Sequence, residues 1–151
     1  MSDKGTILIV DDELGPRESL RFILNPIYEA ITAENGQEAL RLLGEREIDL
    51  VTLDLNMPGI SGIDLLKKIR ALKPEMEVII ITGYGSLANA QEAIQYGAGN
   101  FISKPFNLAE IITIVAKSFE RISYRSRIKA IIQKMNALGD SGNSSADYLN
   151  S

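Results

Sequence analysis

The chain contains neither cysteine nor histidine. Without thiols there are no disulfides and no thiolate nucleophile. Without imidazole there is no usual zinc site, no histidine general base and no histidine phosphoryl carrier. Acid–base or metal chemistry must therefore run on carboxylates and lysine. No apolar run approaches the ~20 residues that span a bilayer. The opening Met1-Ser2-Asp3-Lys4-Gly5 has neither the charged nor the apolar region of a signal peptide. A cytoplasmic protein with no membrane partner is expected. An excess of basic residues is missing too: 16 Lys and Arg against 20 Asp and Glu give a net charge of −4, so nucleic acid is not an expected direct partner. What remains is a 151-residue chain, 45% hydrophobic, enough for one core of ordinary size with some length to spare.

Short apolar runs alternate with helical patterns. Thr6 to Val10 reads as a buried strand, and Gly15-Pro16 opens a helix carrying Leu20, Ile23 and Leu24 that Asn25-Pro26 stops. Tyr28 to Ala33 is a weaker strand pattern. Asn35-Gly36 starts a helix with Ala39, Leu40, Leu42 and Leu43 on its apolar side. Leu50 to Leu53 is a third strand, ending at Asp54. Ser61 and Asp64 form a capping pair for the next helix, which Lys73-Pro74 ends. Val78 to Ile81 is the clearest strand and ends at Thr82. Ser86 is read as the cap of a fourth helix, stopped at Gly97-Ala98-Gly99. Asn100 to Ser103 is a fifth strand, and Asn107 with Glu110 caps a last helix. Five β-then-α units imply a parallel sheet covered on both faces, too few for a closed eight-stranded barrel. The expected class is α/β, a doubly wound five-stranded parallel sheet with a C-terminal helical extension.

In such a sheet the residues just past each strand share one edge. Asp11 and Asp12 follow strand one, Asp54 strand three, Thr82 strand four and Lys104 strand five. Strands one and three should be neighbours beside the switch point, which would bring three carboxylates together. Clustered carboxylates repel one another unless a cation compensates. Oxygen ligands with room for water suit Mg²⁺, and Lys104 and Thr82 add an ammonium and a hydroxyl, so the set suits a phosphoryl group. Each residue also has a plainer reading. Asp54 could cap the following turn, Asp11 or Asp12 the first helix; Thr82 could simply end a strand, Lys104 be a solvated lysine, and Phe101 a core ring.

The stretches Ile9-Val10-Asp11-Asp12-Glu13, Leu53-Asp54-Leu55-Asn56-Met57-Pro58-Gly59, Ile81-Thr82-Gly83 and Phe101-Ile102-Ser103-Lys104-Pro105-Phe106 together resemble the receiver domains of two-component response regulators. The likeness covers roughly residues 5 to 120. It implies a flavodoxin-like (βα)5 fold with strand order 2-1-3-4-5. It implies a phosphorylation-controlled signalling module rather than an enzyme acting on a separate substrate. Asp54 is implied as phosphoacceptor from a sensor histidine kinase or phosphotransfer protein. Asp12, Asp54 and the backbone carbonyl of Asn56 are implied as direct Mg²⁺ ligands, with Asp11 acting through water. Lys104 would pair with one phosphoryl oxygen, and Thr82 would hydrogen-bond another. Phe101 matches the aromatic switch position, and Lys104-Pro105 a bond commonly cis in the family. Tyr84, near the site's mouth, either limits water access or serves a partner.

A phosphatase of the haloacid-dehalogenase type also uses an aspartyl nucleophile and Mg²⁺, but places a second Asp two residues on, where this chain has Asn56. A receiver serving only as an unphosphorylated protein-binding scaffold would not need the full set Asp11, Asp12, Asp54, Thr82 and Lys104. Domain boundaries are expected at 1–122 for the receiver and 123–151 for a helical linker and disordered tail. Val115, Phe119 and Ile122 form one helical stripe; Ile128, Ile131, Met135 and Leu138 form another, out of phase, with the break near Ser123 to Ser126. The second stripe suggests a homodimer. Residues 139–151 are rich in Gly, Ser and Asn and are expected to lack fixed structure. The extension and the Thr82-Gly83-Tyr84-Gly85 turn resemble receivers of the nitrogen-regulation type. Neither a P-loop nor a helix-turn-helix pattern occurs, so the chain reads as a stand-alone regulator or a piece of a longer one.

Overall fold

The computed structural model describes residues 4–83 and 87–149. Ten elements alternate in chain order: β1 (Thr6–Val10), α1 (Leu14–Leu24), β2 (Glu29–Ala33), α2 (Gly36–Glu45), β3 (Leu50–Leu53), α3 (Gly62–Leu72), β4 (Glu77–Thr82), α4 (Leu87–Gln95), β5 (Asn100–Ser103) and α5 (Leu108–Leu149). All strand pairs are parallel and the order is β2-β1-β3-β4-β5. This is the doubly wound parallel sheet that the sequence predicts, in the flavodoxin-like (βα)5 order that the receiver resemblance implies.

Position in the sheet explains how clearly each strand reads in sequence. Central β1, β3 and β4 are buried at every residue, so apolar and β-branched residues run without alternation. Edge strands β2 and β5 are only partly buried and read more weakly. One face of the sheet presents Leu8, Val10, Val51, Leu53, Val78 and Ile80 to Ala39 and Leu43 of α2, Leu65 and Ile69 of α3 and Ala93 of α4. The alternate residues Ile7, Ile9, Ile79 and Ile81 are equally buried, and α1 packs against β1 and β2.

Local signals set the helix ends. Asn35 accepts from the backbone N–H of Glu38 at the start of α2, and Ser61 from that of Asp64 at the start of α3. Asn107 accepts from Ala109 and Glu110 at the start of α5. The Ser86 cap lies outside the described residues. Helix α4 ends in a Schellman turn: Ala98 N–H donates to the Ala93 carbonyl, Gly97 N–H to that of Ile94, and Gly97 takes φ +80°, which a side chain would resist.

The same corner is held by one side chain. The Arg70 guanidinium of α3 donates to the carbonyls of Pro74 (2.8 Å), Met76 (2.9 Å), Tyr96 (2.8 Å) and Gly97 (3.2 Å), with a longer contact to Lys73 (3.5 Å). Beside it, Lys67 pairs with Glu92 at 3.0 Å and lies 5.2 Å from the Tyr96 ring centre.

The chain falls into two units, Met1–Phe119 and Glu120–Ser151. Helix α5 has no break at Ser123 to Ser126 and includes residues 139–149, where the composition predicts no fixed structure. The physical reason is that the last proline is Pro105. Gly, Ser and Asn lower helix propensity but do not remove the backbone donors, as proline would.

Candidate functional site: an acidic edge closed by a lysine

Each chemically distinctive residue of the sheet's carboxyl edge is delivered by a strand end. Asp11 follows β1 and donates its N–H to the Ala33 carbonyl; Asp54 follows β3 and donates to the Val10 carbonyl. These backbone bonds extend the parallel ladders by one residue, so both carboxylates emerge from rigid positions rather than from free loops. Both residues are 2% exposed. Carboxylate oxygens of Asp11, Asp12, Glu13 and Asp54 all lie within 4.8 Å of one another.

Lys104 closes the cluster. Its ammonium stands 2.8 Å from Asp11 Oδ2, 3.0 Å from Asp54 Oδ2 and 3.8 Å from Glu13 Oε1. Its backbone N–H donates to the Thr82 carbonyl at 3.0 Å, joining the ends of β4 and β5, and the Lys104–Pro105 bond is cis. Burial pushes the Asp11 carboxyl above its usual range, only partly offset by its bond to Lys104. For Lys104 burial works against the charge, yet hydrogen bonds to Asp11 and Asp54 outweigh it, so the ammonium holds its proton more tightly than a free lysine.

Hydrogen bonds shape the carboxylates further. Asp11 Oδ1 accepts from Glu13 N–H at 2.9 Å, and Asp54 Oδ1 from Asn56 N–H at 2.9 Å. Asp12 Oδ1 is buried with no hydrogen-bond partner among the described residues. A buried carboxylate oxygen without a partner is costly unless something else satisfies it. Set among three further carboxylates, with oxygen donors alone, it suits a hard divalent cation such as Mg²⁺.

Thr82 is fully buried, and its hydroxyl accepts from the Asn56 side-chain amide at 3.2 Å. Phe101, paired with Ile80, is half-buried against the core beneath this edge. Asp11, Asp12, Asp54, Asn56, Thr82 and Lys104 thus gather at one edge, with Phe101 below. Tyr84 lies outside the described residues.

A family profile described as the response regulator receiver domain matches residues 7–116. The chain belongs to this family. It is 40% identical over 112 residues to the sporulation initiation phosphotransferase F of Bacillus subtilis (strain 168), a match covering 74% of this chain and 90% of that protein. Among solved structures it is similar to a CheY-like response regulator receiver domain protein from Methanospirillum hungatei JF-1, with TM-score 0.79 and 30% identity over 82% of this chain and 99% of that one. It is similar too to the receiver domain of NtrX from Brucella abortus, with TM-score 0.72 and 36% identity over 76% and 98% of the two chains. The chain is therefore a phosphorylation-controlled signalling module, of a family that works with histidine kinases or phosphotransfer proteins. No helix among the described residues is long and apolar enough to cross a membrane.

Three contributors escaped the sequence reading. Glu13 joins the carboxylate cluster, and its place directly after the acidic pair was the signal available. Arg17 donates to the Asp11 carbonyl at 2.8 Å, bracing the β1–α1 turn. Gly62, the first residue of α3, donates to the Leu55 carbonyl, and a Cβ there would lie 2.3 Å from Leu55 Cα and 2.5 Å from the Asp54 carbonyl oxygen. Only glycine allows that approach, so the start of α3 rests directly on the backbone that carries Asp54.

Proposed function

We propose that Asp54 is the phosphoacceptor, receiving its group from a phosphohistidine on a sensor histidine kinase or phosphotransfer protein. A carboxylate oxygen of Asp54 attacks phosphorus; the O–P bond forms as the P–N bond breaks. The imidazole leaves with that bond's electron pair and takes up a proton. The observation that carries this reading is the buried Asp54 carboxylate, 3.0 Å from Lys104 and inside a four-carboxylate cluster. An open cleft of about 630 Å³, bordered by Glu13, Pro16, Lys104 and Phe106, gives a donor room to approach.

Asp12, Asp54 and the Asn56 backbone carbonyl would hold Mg²⁺ directly, with Asp11 acting through water. When bound, the ion offsets the charge of the carboxylates and of the phosphoryl oxygens. Lys104 then passes from Asp54 to a phosphoryl oxygen, and the Thr82 hydroxyl donates to another. The modification adds about −1.5 to −2 charge. Drawing Thr82 towards it shifts the turn after β4, opens space for Phe101, and changes the face made by α4, β5 and α5. The phosphoryl group biases a two-state equilibrium rather than creating a new state.

In this reading the chain catalyses only transfer to itself and loss from itself, in the cytoplasm. The receiver occupies residues 1–122, and residues 123–151 form a linker and tail leading to an output domain or a downstream protein. The test is intact mass after incubation with acetyl phosphate and Mg²⁺. One phosphoryl group is expected on the wild type and none on Asp54→Asn. Unchanged labelling of that variant would remove Asp54 from the role.

A further inference from the structure

Glu13 meets the carboxylate cluster from the solvent side. Its side chain is 63% exposed, against 3% for those of Asp11 and Asp54. The backbone of Glu13 is fixed: its N–H donates to Asp11 Oδ1 at 2.9 Å, and its carbonyl accepts from the Arg17 N–H at 3.2 Å. The side chain takes no part in that. It stands at the N-cap of α1 but accepts no capping hydrogen bond. Its ion-pair contact among the described residues is Lys104 at 3.8 Å, and Lys104 is held closer by Asp11 and Asp54. Folding therefore asks for little from this carboxylate.

The same side chain borders the open cleft beside the site, where the lining charges are Glu13 and Lys104. The ammonium is already taken by two buried carboxylates, so the mouth is negative. Four carboxylates face one ammonium, and a divalent cation among them would still leave one negative charge over. Phosphoryl transfer sets the attacking and leaving atoms roughly in line. Asp54 attacks from the buried side, so the leaving group departs towards the cleft that Glu13 borders.

We propose that Glu13 is a specificity-determining residue for the phosphodonor: it favours a group leaving from a cationic nitrogen and disfavours one leaving as an anion. The proposal rests on the assignment of Asp54 as acceptor. With acetyl phosphate the P–O bond breaks, and acetate carries off the electron pair as an anion beside Glu13. Phosphoramidate presents a protonated nitrogen at neutral pH; its P–N bond breaks, the electron pair goes to nitrogen, and ammonia leaves neutral.

The test compares the two donors on the full chain, following labelling by intact mass at Mg²⁺ concentrations that calorimetry shows to saturate each protein. Glu13→Gln removes the charge at constant size; Glu13→Asp keeps it. In Glu13→Gln the acetyl phosphate rate should rise about fivefold and the phosphoramidate rate change by less than about twofold, as expected for one unit charge a few ångströms away in a water-like medium. Glu13→Asp should keep most of the wild-type donor ratio. Added salt should raise the acetyl phosphate rate of wild type relative to phosphoramidate and leave the ratio of Glu13→Gln in place. An unchanged ratio in Glu13→Gln, or equal changes for both donors, overturns the proposal and leaves Asp54 as acceptor. Label retained by Asp54→Asn overturns the acceptor assignment instead.

Discussion

The side-chain amide of Asn56 donates to the hydroxyl of Thr82 across 3.2 Å, between two residues 26 apart in sequence. The bond exists in the unmodified protein and occupies the hydroxyl that a phosphoryl group on Asp54 would draw away. A neutral hydrogen bond of this kind contributes about 0.5–1.5 kcal/mol. Asn56→Ala should therefore favour the switched form by about fivefold relative to wild type. The measurement is the NMR position of the Thr82 methyl and Phe101 ring resonances before phosphorylation. No movement towards the phosphorylated spectrum would show that the bond does not restrain the switch.

Lys104 lies between Asp11 and Asp54, so its removal leaves two buried carboxylates facing each other. Lys104→Met should lower thermal stability in the absence of divalent ions by about 1–3 kcal/mol. Added Mg²⁺ should restore more stability to this variant than it adds to wild type. Thermal unfolding with and without MgCl₂ checks both parts. An equal Mg²⁺ increment in the two proteins would mean that lysine and cation do not share the same carboxylates.

Gly62→Ala would force a methyl group against the Asp54 carbonyl oxygen and the Leu55 backbone. The expected cost is about 1–3 kcal/mol of stability. Since the strain falls on the backbone that aims Asp54, labelling by acetyl phosphate should also slow under conditions where the variant is fully folded. Comparing the labelling rate with the folded fraction by circular dichroism separates the two effects. A fully folded variant with wild-type labelling would dismiss the positioning role.

At alkaline pH a different region responds. Tyr28 stacks on Phe119, ring centres 4.6 Å apart, and burial raises its phenol above the ordinary 10.0. The folded state therefore holds this proton more tightly than the unfolded state. Stability is unaffected below pH 10.0, then declines as pH rises through the folded value, because only the unfolded chain gains by ionising. Tyr28→Phe should flatten that decline in denaturant titrations between neutral and strongly alkaline pH. An unchanged slope would place the alkaline sensitivity elsewhere.

The strand-end residues Asp11, Asp54, Thr82 and Lys104 were legible in sequence because each directly follows an apolar run, and a parallel sheet aligns all such positions. The helix starts at Asn35, Ser61 and Asn107 were legible because capping is local. Gly62 and Arg70 were not, since their roles arise where segments distant in sequence meet. Nothing in Ser61-Gly62-Ile63 shows that a strand-end carbonyl will sit above the glycine. Nothing near Arg70 shows that Tyr96 and Gly97 will offer it their carbonyls. The tail misled for the opposite reason: its composition is poor for helix, but no proline forbids one.

Arg70 has a mechanical consequence. Its guanidinium grips backbone oxygens on the α3–β4 turn and at the exit of α4, and Lys67 adds a second hold on the same end through Glu92. In the proposed switch a phosphoryl group on Asp54 would pull on Thr82, which precedes α4 in the chain. A rod held at one heel and pushed at its toe does not slide; it swings. Under that switch, displacement along α4 would grow with distance from Tyr96, and the helix would act as a lever pivoting where Arg70 and Lys67 hold it.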